Sequence, residues 1–218
     1  RLNPLTLSIP KPILKIGSKN LLKNTINILE KFGISEIVIN VHYLSKQIIS
    51  FIENNKFNSK IFIMNENKEI LDTGGGILNA ISHFKNDPFF VLNPDTIWSE
   101  SYLNEFNIMS NFFFDKTCKC LLLLVNKNKS FDKSMSGDFN LSGNKVSRNS
   151  KVKQFVFTGA QILTQEAFTD FTPGPFSLNK VWDLLISKNL LIGQESKQEF
   201  LHVSNLKIYK ELSKIAKY

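Results

Sequence analysis

Several short groups in this chain have the residue types that phosphate chemistry requires. Lys11 lies between Pro10 and Pro12, in an opening stretch that also holds Arg1 and Pro4. Each proline fixes its own φ and pushes the residue before it into extended backbone, so residues 1–12 are expected to form a stiff, non-helical loop. A cation on such a loop loses little entropy when it meets an anion. The plainer alternative is a solvated surface lysine. Asp72-Thr73-Gly74-Gly75-Gly76 is followed by Ile77, Leu78, Ala80, Ile81 and Phe84 at helical spacing. This puts the glycines at a helix N-terminus, with free N–H groups and the positive end of the dipole turned to a ligand. A flexible turn is the alternative. Asn93-Pro94-Asp95 closes the apolar run Phe89-Phe90-Val91-Leu92. Open α/β sheets hold ligands past the C-terminal ends of their strands, and Asp95 stands at such an end; otherwise it caps the next turn. Taken alone, Asp138 after Gly137 reads as a turn carboxylate, Gly159 after Thr158 as a bulge, and His202 as a satisfied structural histidine.

The elements that must position these groups alternate in type. Leu21 to Phe32 has helical apolar spacing and stops at Gly33. Glu36 to Val41 is a β-branched strand, Ser45 caps a helix over 46–54, and Lys60 to Met64 is another strand. Strands follow at 88–92, 118–125, 137–141 and 152–163, and helices at 102–113, 177–187 and 206–216. Residues 126–136 are polar and charged and are expected to be a mobile loop. Strands alternating with helices argue for βαβ units and a mainly parallel sheet.

At 218 residues with 42% hydrophobic content, the chain can bury a real core, and one domain over 1–218 is expected. No apolar run reaches the roughly 18 residues of a membrane span, and the opening does not look like a signal peptide. Cys118 and Cys120 are expected to face apart and to pack rather than bridge, which favours a reducing compartment such as the cytoplasm. The net charge of +8 is scattered over lysines set among asparagines, which describes a solvated basic surface rather than a nucleic-acid stripe. The sequence leaves the oligomeric state open.

Arg1, Leu2, Pro4-Leu5-Thr6 and Pro10-Lys11-Pro12 together resemble the segment that follows the glycine-rich loop of the sugar-1-phosphate nucleotidyltransferases. The resemblance continues in the same order through Asp72 to Gly76, Asn93-Pro94-Asp95, Gly137-Asp138-Phe139, Phe157-Thr158-Gly159 and Phe200 to Asn205. It implies a Rossmann-like α/β fold with a mixed, mainly parallel sheet flanked by helices. It also implies a chain that starts after the family's first strand and most of its phosphate loop, which would leave two strand edges unpaired. The activity implied is transfer of a nucleoside monophosphate from UTP or GTP to a sugar 1-phosphate, with pyrophosphate released. The triple glycine looks most like the N-acetylmuramate-1-phosphate uridylyltransferase branch, and mannose- or heptose-1-phosphate guanylyltransferases share the scaffold.

By the same resemblance, Arg1 and Lys11 offset phosphate charge, Asp72, Thr73, Gly74, Gly75, Gly76 and Asn93 hold the nucleotide, and Gly137, Asp138, Thr158 and Gly159 face the sugar phosphate. Asp95 holds Mg²⁺, with Mn²⁺ as the alternative. His202 stands where the family has its second metal-binding aspartate, and Pro94 where it has glycine. A nucleotide-binding homologue without catalysis is the reading those two departures support.

Overall fold

The computed structural model describes residues 2–66, 69–116 and 118–215. A short antiparallel ribbon, β1 (Lys15–Ile16) and β2 (Lys19–Asn20), leads into α1 (Leu21–Phe32). The helix ends where Gly33 turns to φ 99° and its N–H bonds back to the last turn, as glycine permits without strain. β3 (Glu36–Val41) and β4 (Lys60–Asn65) pair in parallel, with α2 (Ser45–Glu53) crossing between them. The expected Ser45 cap is not formed: the cap position is Leu44, at φ 51° and without a side-chain bond, and Ser45 is the first helical residue.

After α3 (Asp72–Ala80) come β5 (Phe89–Leu92), α4 (Tyr102–Phe114), β6 (Cys120–Asn126), the hairpin β7 (Asn140–Ser142) and β8 (Lys145–Ser147), β9 (Phe155–Leu163), α5 (Leu178–Ser187), β10 (Leu191–Ser196) and α6 (Leu206–Ile215). The large sheet runs β5-β9-β6-β10-β8-β7. Its β6–β10 pairing is parallel, while β9 lies antiparallel to both β5 and β6 and β8 antiparallel to both β10 and β7, so the sheet is mixed but, among the described residues, not mainly parallel as expected. β6 is buried on both faces, from Cys120 to Val125 at 0% exposure. Cys120, Leu122 and Leu124 pack on one side with Val181, Trp182 and Leu185 of α5, and Leu121 and Leu123 on the other with Phe106 and Met109 of α4. Cys118 packs on this second side because it lies before the start of β6; within a strand, residues two apart would share a face. No described helix is long and apolar enough to cross a membrane.

Two regions depart from the sequence reading. β10 is not marked by its sequence, because Gly193, Gln194, Glu195 and Ser196 break the apolar pattern, yet it lies inside the sheet. Glycine is needed at 193: a Cβ there would come 2.8 Å from Val146 and 2.9 Å from Leu141. The polar end is held by buried Glu105 of α4, which accepts from Lys197 N–H at 2.9 Å and from Ser196 Oγ at 3.4 Å. The stretch 126–136 is not a loose loop. Ser130 and Asp132 are buried, and the backbone of Lys129 and Phe131 bonds to Phe200 at 3.0 and 2.9 Å. Polar composition misleads here because the polar side chains are used inward.

Among the described residues β3 and β5 are each paired on one side only, and a cavity of about 680 Å³ lies between them, lined by Ile37, Ile39, Phe90 and Leu92 and reaching Pro12 and Pro94. The fold therefore rests on the β6–β9–β10 centre. Leu122→Ala is expected to lower unfolding free energy by about 2–5 kcal/mol in urea denaturation, because the surrounding sheet cannot collapse into the space.

Candidate active site

Lys11, Asp95 and His202 are brought together from the start, middle and end of the chain. Pro10 is extended (φ −65°, ψ 138°) and Lys11 then opens a 3-10 turn over Lys11–Ile13. With a second such turn at Leu5–Leu7, the opening stretch is not wholly extended as expected. Proline is tolerated in these turns because the first N–H groups of a helix lack partners in any case. Lys11 Nζ lies 2.6 Å from Asp95 Oδ2, with the two side chains 29% and 23% exposed. Asp95 follows the end of β5, and its carbonyl accepts from Val203 N–H at 2.8 Å while Ile97 N–H donates to Leu201 at 2.9 Å. This short pairing includes a Thr96–His202 bridge and carries the imidazole to the carboxylate.

The second oxygen, Asp95 Oδ1, lies 3.6 Å from His202 Nδ1. That is too long for a hydrogen bond, and both atoms are buried with no hydrogen-bond partner among the described residues. Burial pushes the His202 imidazolium toward its neutral form, against the pull of Asp95, and Lys11 adds to the burial effect. The imidazole nitrogen and the carboxylate oxygen, 3.6 Å apart and without hydrogen-bond partners among the described residues, form a donor set that suits a divalent cation.

Asp138 and Asp132 also act on His202 electrostatically. Asp138 accepts from Phe157 N–H at 2.9 Å. Burial raises its carboxyl above the usual carboxylate range, opposed by that N–H and by Arg148, Lys153 and His202. Asp132 was not singled out from the sequence. Burial alone would raise it, but bonds from Ser134 and Ser204 hold it below the usual range. Asn205 also reaches its Oδ2, so Asp132 ties the 130–135 segment to the turn after His202. The Asp132-x-Ser134 spacing was the available signal.

Asn93 is exposed at the end of β5, and its N–H donates to Gly159 at 2.8 Å. Gly159 sits at φ 93°, and a Cβ there would meet Asn93 Cβ at 2.9 Å, so this glycine serves the approach of two strand ends. Thr158, expected to face a sugar phosphate, is fully buried instead. Its hydroxyl donates to Leu123 and its carbonyl accepts from Thr96, so it supports the site from below. Gly137 packs against Lys153, whose carbonyl would lie 2.3 Å from an added Cβ. Arg1 lies outside the described residues.

The glycine triplet is not a free helix end. Gly74 and Gly75 N–H groups both donate to Phe176, at 2.9 and 3.1 Å. A Cβ at Gly74 would enter the Phe176 ring, and one at Gly75 would lie 2.2 Å from the Gly174 carbonyl. The glycines are within α3, not before it, and they admit the 174–176 segment. Asp72 and Thr73 remain exposed, and the Gly76 carbonyl accepts from Asn40, which also bonds Glu66.

Two outcomes follow for stability. Gly75→Ala forces a backbone to move and is expected to lower stability by about 1–3 kcal/mol or more in denaturant melts. Gly143→Ala is the comparison, since a Cβ there meets nothing within 4 Å and only its φ of 56° resists, at about 1–2 kcal/mol. Asp138 binds its proton more readily folded than unfolded, so its contribution to stability falls as pH rises through the window above about 4. Asp138→Asn removes that charge and is expected to raise Tm at neutral pH, with the gain shrinking toward about pH 4 in a series of thermal melts.

The sequence model of the nucleotidyl transferase family matches residues 1–134. N-acetylmuramate alpha-1-phosphate uridylyltransferase of Caulobacter vibrioides is 26% identical over 211 residues, covering 94% of this chain and 87% of that protein. Probable mannose-1-phosphate guanylyltransferase 1 of Oryza sativa subsp. japonica is 36% identical over 103 residues, covering 44% of this chain and 28% of that protein. Among solved structures, HddC from Yersinia pseudotuberculosis complexed with GMP-PN superposes with TM-score 0.74 at 25% identity, covering 98% of this chain and 93% of that one. With a family match over more than half its length and a mixed sheet of the same build, the chain belongs to the nucleotidyl transferase family and is an enzyme of that class.

Proposed function

We propose that the chain transfers the uridylyl group of UTP to N-acetylmuramate 1-phosphate, forming the UDP-sugar and pyrophosphate. The observation that carries the reaction class is the 2.6 Å contact of Lys11 with Asp95, a cation and a carboxylate side by side at the end of β5. The choice of base and sugar is supported by the uridylyltransferase likeness, which runs along 94% of the chain.

An oxygen of the sugar phosphate attacks the α-phosphorus in line. The new P–O bond forms as the bond to the bridging oxygen breaks, and its electron pair leaves on pyrophosphate. There is little covalent work for the protein, so positioning and charge neutralisation carry the rate. Lys11 offsets the charge that gathers on the phosphates, with Arg1 as a second cation from the same segment. Asp72 and Thr73, exposed at the start of α3, and Asn93, exposed at the end of β5, orient the nucleoside. Gly137, Asp138 and Gly159 shape the sugar side. Asp95 and His202 are the residues that would hold a divalent cation, and such an ion supplies charge neutralisation between phosphate groups when bound.

A guanylyl reading is favoured by the 36% identity of 103 residues to a guanylyltransferase and by the GMP-PN complex of HddC. Pyrophosphate release with UTP or GTP, each against N-acetylmuramate 1-phosphate and mannose 1-phosphate, separates the two. Turnover is expected with UTP and N-acetylmuramate 1-phosphate, and turnover only with GTP would reverse the assignment. Lys11→Ala is expected to lower kcat/KM by about a hundredfold or more. An unchanged value would remove Lys11 from the mechanism.

A further inference from the structure

We infer that the Asp95 Oδ1 and His202 Nδ1 pair is a mixed oxygen and nitrogen seat that selects a transition-metal dication, Mn²⁺ or a later ion, over Mg²⁺. The inference rests on the nucleotidyl-transfer reading, because the remaining ligands must come from nucleotide phosphates and water: no group of three or more His, Cys, Asp or Glu is poised for a metal among the described residues.

Three features of the pair carry it. Lys11 occupies Asp95 Oδ2 at 2.6 Å, so the carboxylate offers a cation one oxygen and not two. The oxygen it offers and the imidazole nitrogen are both buried and lack any hydrogen-bond partner in the described structure. A buried polar atom without a partner is costly unless something occupies it, and here two lie side by side. The third feature is the imidazole nitrogen itself, set 3.6 Å from that oxygen. Mg²⁺ is a hard cation that takes oxygen, whereas imidazole affinity rises from Mn²⁺ through the later first-row ions. Asp132 and Asp138 add negative potential at His202, which favours any dication and leaves the choice of ion to the ligand atoms.

The test uses Mn²⁺ as the probe, on the chain bound to α,β-methylene-UTP, which cannot release pyrophosphate. Pulsed electron paramagnetic resonance of bound Mn²⁺ is expected to show ¹⁴N modulation from a directly bound imidazole, and His202→Gln is expected to abolish it. Competition of Mg²⁺ against Mn²⁺ gives a second readout. The preference for Mn²⁺ over Mg²⁺ in the parent is expected to exceed that of His202→Asp by about tenfold or more, with circular dichroism confirming that both variants fold. Bound analogue and bound Mn²⁺ without ¹⁴N modulation, or one ion preference shared by parent and His202→Asp, overturns the inference while the transfer reading stands. Failure of the parent to bind the analogue with any ion, or without one, overturns the transfer reading and the inference with it.

Discussion

The site depends on one constraint: the side chain of Asp95 is held half-buried at the point where three distant stretches of chain meet. The end of β5 delivers Asp95, the proline-bound turn delivers Lys11, and the backbone pairing of 95–97 with 201–203 delivers His202. Each contact alone is modest, since a half-exposed ion pair contributes little to stability. Their joint effect is geometric. Leu2, Leu14, Ile97 and Val203 form a small apolar cluster around the same junction, so the segments that carry the charged groups are held by packing and not by the charges themselves. The charges are then free to face a ligand.

Much of this was legible in the sequence, and the reasons are particular. Lys11, Asp95 and His202 were marked because each stood in an unusual local setting: a cation between prolines, a carboxylate after an apolar strand, an imidazole where an acid was expected. α1 and β6 were marked by their periodicity. β10 was not, because its Gly193 is dictated by the side chains of β7, β8 and β6, and its polar end by Glu105 on α4. No local window contains those neighbours. Asp132 showed only its local Asp-x-Ser spacing, since its other partners Ser204 and Asn205 lie some seventy residues on.

The glycine triplet shows where local reading goes wrong in kind. Three glycines before an apolar helical run announce a close approach of backbone to something, and the inference of close approach was sound. What comes close to Gly74 and Gly75 is the chain itself, at Gly174 and Phe176. That anchors α3 to the segment before α5, and it leaves Asp72 and Thr73 exposed at the start of the helix. A nucleotide reading of this stretch therefore rests on Asp72 and Thr73 more than on glycine N–H groups.

The same region also shows a balance between stability and readiness to bind. Burial raises the Asp138 carboxyl above its usual range, and Asp95 Oδ1 and His202 Nδ1 are buried without partners among the described residues. A chain selected for stability alone would pair or expose these groups. Unmet polar atoms gathered at one end of a sheet whose centre is otherwise packed to zero exposure are the marks of a site shaped by what it binds. The packed β6–β9–β10 centre is what makes that local deficit tolerable.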